Sequence, residues 1–197
     1  MDIYLIGGFK GSGKTSLISK LTSYLTKKQF NIGVIYTELG EVKYNDNEMN
    51  DNISYKSAVS DCVSCTYRYD TVNAISDMYG KKSFDFLFIE VAGIGNPETV
   101  KNDIYEHINT ENINLISLIY LIDSTNFIPE YDKVPSFMLS QIISSDTIII
   151  NKSDEVSETE TNEIDKFIKT LNSSCHIFTH SDKFQNLDLG WFFSKGT

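Results

Sequence analysis

The feature that most constrains the fold is a glycine-rich stretch near the start of the chain, residues 8–15, which reads GFKGSGKT. It matches G-x-x-x-x-G-K-[ST], the pattern of a phosphate-binding loop. The apolar residues 3–6 come just before it and predict a buried strand, while residues 16–21 predict the start of an amphipathic helix. Strand, loop and helix in this order form the context that the motif needs, so we expect a nucleotide phosphate to bind here.

The chemistry of such a loop assigns a role to each of its residue types. Glycines let successive backbone N–H groups curl around a phosphate without a Cβ in the way, and the following helix adds its positive N-terminal end. Lys14 is predicted to reach the β- and γ-phosphates, and the Thr15 hydroxyl is predicted to bind Mg²⁺. The residues predicted to bind the nucleotide here are Gly8, Gly11, Ser12, Gly13, Lys14, Thr15 and Ser16.

Apolar strands alternate with helical segments along the rest of the chain. Strands are predicted at 31–37, 53–59, 84–90, 114–122, 147–150 and 176–178, and helices at 66–79, 97–109, 134–144 and 157–171. The strands are apolar on both faces, which indicates a mostly parallel sheet covered on both sides. The fold class is therefore α/β, a three-layer phosphate-binding-loop fold, and residues 1–197 are expected to form one domain.

Composition narrows the function classes. The net charge of −10 and the isoelectric point near 4.7 argue against binding to nucleic acid or to an anionic membrane. No signal peptide is expected before the first strand, and no apolar run approaches the roughly 18 residues of a membrane span. Three cysteines suggest thiols or metal ligands rather than disulfides, so a cytoplasmic location is expected.

Residues 151–154 read NKSD and fit N-K-x-D, a pattern that selects guanine. The Asp154 carboxylate can accept hydrogen bonds from guanine N1–H and the 2-amino group, whereas adenine would leave it unpaired. The Lys152 stem can lie along the base plane, and Asn151 can bridge neighbouring loops. Because the motif follows a buried strand, these residues predict GTP rather than ATP.

A second acidic position ends the strand predicted at 84–90. Glu90 lies where a Walker B carboxylate would hold the Mg²⁺ shell or orient a water molecule, and the Gly93 N–H lies where a γ-phosphate could be sensed. Lys10 is one residue away from the position of the signature lysine that some ATPases carry, so we interpret it as a solvated loop lysine. We therefore expect Lys14, Glu90 and Gly93 to serve hydrolysis.

Cys62 and Cys65 form a C-x-x-C pair in a predicted loop. Thiolates at this spacing can bind Zn²⁺ or a similar ion, but two ligands do not complete a site. A redox dithiol and plain packing are the alternative interpretations. The residues that could complete a metal shell, together with a second subunit or water, are Glu38, Glu41 and His107.

Together these motifs resemble the CobW/UreG/HypB-type metallochaperone GTPases, which include the nickel-inserting GTPases of urease and hydrogenase. The family's G-F-x-G-x-G-K-T is matched by residues 8–15, and its C-x-C-C-T-x-R-x-D by residues 62–70 except at Ser64. Its N-E-F-G-E segment is matched loosely by residues 37–41. Its E-x-x-G and N-K-x-D are matched at 90–93 and 151–154. The resemblance covers nearly the whole chain.

The resemblance implies GTP hydrolysis with Mg²⁺, nucleotide-dependent homodimerisation, and delivery of Zn²⁺, Co²⁺ or Ni²⁺, or of a metallocofactor, to a client metalloprotein. Ser64 replaces the family's middle cysteine, and no CobW-type C-terminal domain is expected. Turnover is expected to be slow, with Arg68 the one candidate for an arginine finger. A nucleotide-switched module that binds a partner without metal is the alternative, and a small-molecule kinase is the weaker third hypothesis.

Overall fold

The structure is a computed structural model that describes residues 1–36, 52–58, 67–80, 83–109, 111–181, 184 and 189–193. Strands and helices alternate through these residues, as the hydrophobic pattern predicts. The strands are β1 (Asp2–Gly8), β2 (Ile32–Tyr36), β3 (Ile53–Ser57), β4 (Phe86–Glu90), β5 (Leu115–Asp123), β6 (Thr147–Asn151) and β7 (His176–Thr179). The helices are α1 (Lys14–Thr26), α2 (Tyr67–Tyr79), α3 (Pro97–His107), α4 (Ser136–Ser144), α5 (Glu158–Leu171) and α6 (Leu189–Phe193).

The described strands form one sheet in the order β3-β2-β4-β1-β5-β6-β7. Every neighbouring pair in this sheet is parallel, so the prediction of a mostly parallel sheet is confirmed and sharpened. Parallel neighbours cannot be joined by tight hairpins and need crossover connections. Helices α1 to α5 lie in such connections along the chain.

Side chains leave both faces of the sheet and are buried on both. On β1, Tyr4 and Ile6 pack into a cluster with α1 and α6, whereas Ile3 and Leu5 pack into a cluster with α2 and α3. A third cluster, which includes Tyr120, lies between α4 and α5 on one side and one face of β5 and β6 on the other. The three-layer arrangement predicted from the apolar strands is therefore confirmed.

Capping residues explain where two of the helices begin. α3 starts with Pro97, and the Asn96 side chain accepts a hydrogen bond from the Glu98 N–H at 2.9 Å. α5 begins after Ser157, which forms a capping box with Glu160. The helix predicted from residue 157 thus begins one residue later, because Ser157 is the cap itself.

The remaining differences from the predicted boundaries are small. The strand predicted over 53–59 ends at Ser57, and the helix predicted to reach residue 109 ends at His107. β4 starts at Phe86 because Asp85 is occupied in a turn contact, in which its carboxylate accepts from the Asn31 N–H at 2.8 Å. None of the helices among the described residues is long and apolar enough to cross a bilayer.

The sheet brings the predicted motifs to one edge. β1 lies between β4 and β5, with Ile6 paired to Glu90 and Gly8 paired to Leu121. β5 pairs with β6 so that Asp123 lies opposite Asn151. The carboxyl ends of these four parallel strands therefore meet at the place where such folds bind ligands.

Candidate nucleotide-binding site

The loop after β1 has the backbone that its glycines permit. Gly8, Gly11 and Gly13 have φ values of 142°, 82° and 104°, a region that residues with a Cβ rarely adopt. A Cβ on Gly8 would lie 2.7 Å from the Leu121 carbonyl oxygen, and one on Gly13 would lie 2.5 Å from Asn151 Nδ2. Two of these glycines are therefore required by contact with neighbouring strands as well as by conformation.

Lys14 begins α1 and folds back over the loop. Its Nζ donates to the Gly8 carbonyl oxygen at 2.8 Å and lies 3.4 Å from that of Phe9, and the residue is only 5% exposed. A buried ammonium is costly unless hydrogen bonds and opposite charge compensate it. The geometry places a positive charge inside the ring of the loop, where a phosphate can approach it.

The predicted magnesium ligands lie in contact. The Thr15 hydroxyl donates to the Glu90 carboxylate, with its Oγ1 at 3.1 and 3.2 Å from the two carboxylate oxygens. Glu90 is 4% exposed at the end of β4, and the strand beside it carries the loop. A hydroxyl and a carboxylate are the oxygen ligands that suit Mg²⁺, so these residues fit the ion.

The segment after Glu90 lies against the phosphate-binding loop. A Cβ on Gly93 would lie 3.2 Å from the Lys10 backbone nitrogen and 3.5 Å from the Gly8 carbonyl oxygen. The first of these contacts is tighter than most Cβ contacts in proteins, so a larger residue would require the loop to shift slightly. Gly93 thus lies beside the loop, and its role in sensing the γ-phosphate stays a prediction. The Lys10 side chain is exposed, in agreement with its interpretation as a solvated lysine.

The N-K-x-D segment is tied to the same loop. Asn151 is buried at the end of β6, and its Nδ2 donates to the Ser12 carbonyl oxygen at 2.9 Å. Lys152 adopts a left-handed conformation with φ 61° and sends its Nζ to Asp123 Oδ2 at 2.6 Å. Asp154 follows in a short 3-10 turn and is exposed, so its carboxylate can meet a base.

Asp123 closes β5 and holds Lys152 in place. Burial by itself would raise the pKa of this carboxyl group, but hydrogen bonds from Lys152, Thr125 and Asn126 outweigh it and lower the pKa below its usual value. The carboxylate side chain is 11% exposed, so the charge pair is mostly withdrawn from water. The pair fixes the lysine stem beside the position expected for the base.

Phe184, which lies after β7, packs against the phosphate-binding loop and against His180. The Phe184 ring is buried, lies 3.5 Å from the position of a Cβ on Gly13, and lies 4.9 Å from the His180 ring centre to centre. The His180 carbonyl oxygen accepts from both the N–H and the hydroxyl of Ser153, at 3.1 and 3.0 Å. The segment after β7 therefore connects the N-K-x-D turn to the phosphate-binding loop.

The predicted transition-metal residues divide into two groups. Cys62, Cys65, Glu38 and Glu41 lie outside the described residues. His107 ends α3, where one ligand atom each from Asp103, Glu106 and His107 lies within 4.8 Å of the others. One turn of helix separates the outer two, so their side chains share a face. The structure therefore supplies His107 with two carboxylate neighbours that the sequence analysis did not name.

A nucleotide site of this composition can be compared with known families. A model of the CobW/HypB/UreG nucleotide-binding domain matches residues 2–179. The chain belongs to the CobW/HypB/UreG family. The resemblance drawn from the motifs is thereby confirmed, and it extends over β1 to β7.

Two curated relatives of this CobW/HypB/UreG domain have names that mention both a GTPase and zinc. The chain is 24% identical, over an alignment of 215 residues, to the zinc-regulated GTPase metalloprotein activator 1 of Dictyostelium discoideum. It is 22% identical over 186 residues to the protein of the same name in Schizosaccharomyces pombe. Each alignment covers 90% of this chain and 45% of the relative. The chain thus spans about half the length of the curated relatives it matches.

Solved structures of the family share the fold. The Zn(II)-bound YjiA GTPase of E. coli superposes with a TM-score of 0.66 at 22% identity, covering 96% of this chain and 60% of that one. HypB of Helicobacter pylori, in complex with nickel, gives a TM-score of 0.68 at 18% identity, covering 98% and 86%. At these identities the likeness shows the three-layer fold of phosphate-binding-loop GTPases.

Two residues that the structure places in the candidate nucleotide site were not predicted from the sequence, for different reasons. Asp123 could have been suggested by the sequence, because it is an acid that ends a strand. When that strand is adjacent to the one before N-K-x-D, the acid lies close to the motif. Phe184 could not have been suggested in this way, because its contact with Gly13 joins residues far apart along the chain. The nucleotide residues that were predicted are all described and lie together at the strand ends.

Proposed function

We propose that this domain binds GTP with Mg²⁺ and hydrolyses it to GDP and phosphate. The observation that carries the proposal is the hydrogen bond from Asn151 to the Ser12 carbonyl oxygen at 2.9 Å. It joins a guanine-type loop to a phosphate-type loop, so that one nucleotide can span both. The family match supports nucleotide binding of the same kind.

Different residues of the site are proposed to bind the phosphates, to hold the metal ion and to orient water. Lys14 and the loop N–H groups bind the β- and γ-phosphates, and Thr15 with Glu90 would hold the metal ion. Bound Mg²⁺ neutralises phosphate charge during the transfer. Glu90 is proposed to orient the attacking water as well, and the proposed sensing of the γ-phosphate by Gly93 is supported by its close approach to the phosphate-binding loop. Positioning and electrostatic stabilisation are the main requirements of phosphoryl transfer.

Turnover is proposed to be slow. An arginine that stabilises the transition-state charge raises turnover of related GTPases by about 10³ to 10⁵. Arg68 is the only arginine in the sequence, and its side chain lies outside the described part of the structure. A partner that supplies such a charge would accelerate the reaction.

Guanine selectivity is tested by changing the base-reading carboxylate. We expect wild-type protein to bind GTP much more tightly than ATP in calorimetry, because adenine leaves Asp154 unpaired. Asp154→Asn should weaken GTP binding by roughly 10- to 100-fold and favour xanthosine triphosphate, whose 2-oxo group faces the new amide donor.

Glu155→Gln is the matched control, since Glu155 is an exposed carboxylate in the same 3-10 turn. It should bind GTP as wild type does. Equal affinity of the wild-type protein for ATP and GTP would contradict the guanine assignment.

We further propose that the GTP cycle gates delivery of Zn²⁺, Co²⁺ or Ni²⁺, or of a metallocofactor, to a client metalloprotein. The Asp103, Glu106 and His107 group supports a metal role, because imidazole and carboxylate are common ligands of these ions. The names of the curated relatives support it as well. Nucleotide-dependent homodimerisation and a cytoplasmic location, where GTP is supplied and thiols stay reduced, belong to the same proposal.

The metal hypothesis is tested by titration with and without GTP. Wild-type protein should bind the cargo metal with an affinity that differs between nucleotide states and falls as pH falls, since its ligands must be deprotonated. Cys62→Ser with Cys65→Ser tests the thiols, and His107→Ala tests the imidazole, with His176→Ala as a histidine control. All these variants should keep GTP binding.

If metal binding is unchanged in both the double cysteine variant and His107→Ala, no residue supports the hypothesis that this protein delivers a metal. The alternative, a nucleotide-switched module that binds a partner without metal, would then be the better account. The net charge of −10 supports this alternative, because an acidic surface suits a cationic protein partner.

A further inference from the structure

Gln141 is a buried polar residue on α4 that the nucleotide chemistry above does not use. It is 1% exposed, and its Nε2 donates to the Gly95 carbonyl oxygen at 2.5 Å. Gly95 lies in the segment between Glu90 and the start of α3. A side chain from a helix far along the chain thus binds the backbone that follows the predicted magnesium ligand.

That segment is short and hydrogen bonds fix its backbone. The Val91 N–H donates to the Ile6 carbonyl oxygen at 2.9 Å, and the Gly95 N–H closes a turn on Ala92 at 2.7 Å. Between these points, Gly93 approaches the phosphate-binding loop closely enough that a Cβ would contact Lys10. A further hydrogen bond comes from the Gln141 side chain, which reaches the segment from α4.

The surroundings of Gln141 leave little room for another arrangement. A Cβ on Gly7 would lie 2.9 Å from Pro97 Cγ, 3.3 Å from Tyr120 Cδ2 and 3.4 Å from Gln141 Oε1. The end of β1, the start of α3, the middle of β5 and the side chain from α4 therefore meet at one glycine. Close packing of this kind transmits a displacement of one element to the others.

The hydrogen bonding of Gln141 is one-sided. Its Oε1 and the hydroxyl of Tyr120 are buried, and neither has a hydrogen-bond partner among the residues that the structure describes. Turning the amide over would set two oxygens against each other at Gly95, so the carbonyl of Gly95 determines which way the amide points. An unpaired buried acceptor costs free energy. Gln141 would therefore be an unfavourable residue here if it served only to fill the core.

We propose that Gln141 is a positioning residue that holds the segment 91–96, and with it Gly93, in register with the phosphate-binding loop. α4 also contacts that loop directly, since the ring centres of Phe137 and Phe9 lie 6.3 Å apart. Side chains of one helix therefore contact both segments that flank the γ-phosphate position. This inference rests on the proposed GTPase function only for its effect on turnover.

Gln141→Met tests the inference, because it keeps the length of the side chain and removes the donor. We expect kcat for GTP to fall by roughly 10- to 100-fold, since small displacements of a reacting group have effects of that size, while KM for GTP is retained. Amide hydrogen exchange of residues 91–96 should become faster than in wild type. Gln141→Leu also removes the donor and should give the same two results, which covers failure of the first variant to fold.

Asn172→Leu is the matched control. Asn172, the residue directly after α5, is also a buried amide that packs against α4, but its Nδ2 donates to the carbonyl oxygens of Ile142, Ile143 and Ser145 at the C-terminal end of α4 and not to the segment 91–96. This variant should melt at a lower temperature while retaining kcat per folded molecule and the exchange rate of 91–96.

The two proposals fail in distinguishable ways. Hydrogen exchange needs no turnover, so a wild-type protein without GTPase activity would refute the proposed function while the exchange of 91–96 still decides the role of Gln141. Wild-type kcat and wild-type exchange in Gln141→Met would overturn the inference. So would faster exchange spread evenly over the whole sheet, because that pattern indicates general destabilisation rather than positioning.

Discussion

At the scale of single residues, the site depends on a few side chains that are buried although they are polar or charged. Lys14, Glu90 and Asn151 are each 4 to 6% exposed. Each makes hydrogen bonds to a neighbouring strand or loop. Desolvation of this kind strengthens electrostatic interactions with a ligand and reduces the reorganisation needed when it binds.

Lys14→Ala is expected to abolish phosphate release while the far-ultraviolet circular dichroism stays native. The lysine faces the loop rather than the apolar core, so its removal costs only about 1 kcal/mol of folding free energy for the lost bond to Gly8. Lys10→Ala is the control, because Lys10 is an exposed lysine of the same loop. Normal turnover in Lys14→Ala would remove this loop from the mechanism.

At the scale of elements, helix ends determine how segments approach the sheet. The Ser157 hydroxyl accepts from the Glu160 N–H at 3.2 Å, and the Ser157 N–H donates to the Glu160 carboxylate at 2.8 Å. These reciprocal bonds satisfy N–H groups that would otherwise lack a partner at the start of α5. Ile164 and Ile168 then lie on the buried face against β6.

Ser157→Ala should lower the free energy of unfolding by about 1 kcal/mol, the usual cost of losing a serine cap. Chemical denaturation followed by circular dichroism measures the change. Ser23→Ala, at an exposed position inside α1 whose hydroxyl bonds back to Ser19, should be nearly neutral. Equal losses in the two variants would show that the cap contributes nothing beyond an ordinary surface serine.

At the scale of the whole molecule, an ion pair joins the ends of β5 and β6 beside the base position. Asp123 accepts from Lys152, and the pKa of Asp123 is lowered in the folded protein. A depressed carboxyl pKa contributes stability above the unfolded value of about 3.9, and that stability is lost as pH falls through the folded value. The acidic surface, with a net charge of −10, sets the background of this titration.

Asp123→Asn should therefore flatten the dependence of the unfolding free energy on pH in the acid range, below about pH 4. Thermal melts at a series of pH values compare the variant with wild type. Asp132→Asn is the control, at an exposed aspartate of the segment that follows β5. The same pH dependence in Asp123→Asn and wild type would show that Asp123 makes no such contribution.

Prediction from sequence succeeded where the signal was local. The glycine-rich loop, the apolar strands and the N-K-x-D segment each specify short-range conformation and chemistry, and the observed strands fall within a few residues of the predicted ones. The capped starts of α3 and α5 were also readable, because Pro97 and Ser157 act on their own neighbours.

Contacts between distant residues were decided only by the tertiary structure. The bond of Gln141 to Gly95, the position of Phe184 beneath Gly13 and the neighbours of His107 depend on strand order or helix register. The sequence determined the elements and the chemistry of the loops, because those follow from local patterns. The structure decided which loops share a site, because the order β3-β2-β4-β1-β5-β6-β7 places side by side strands that are far apart along the chain.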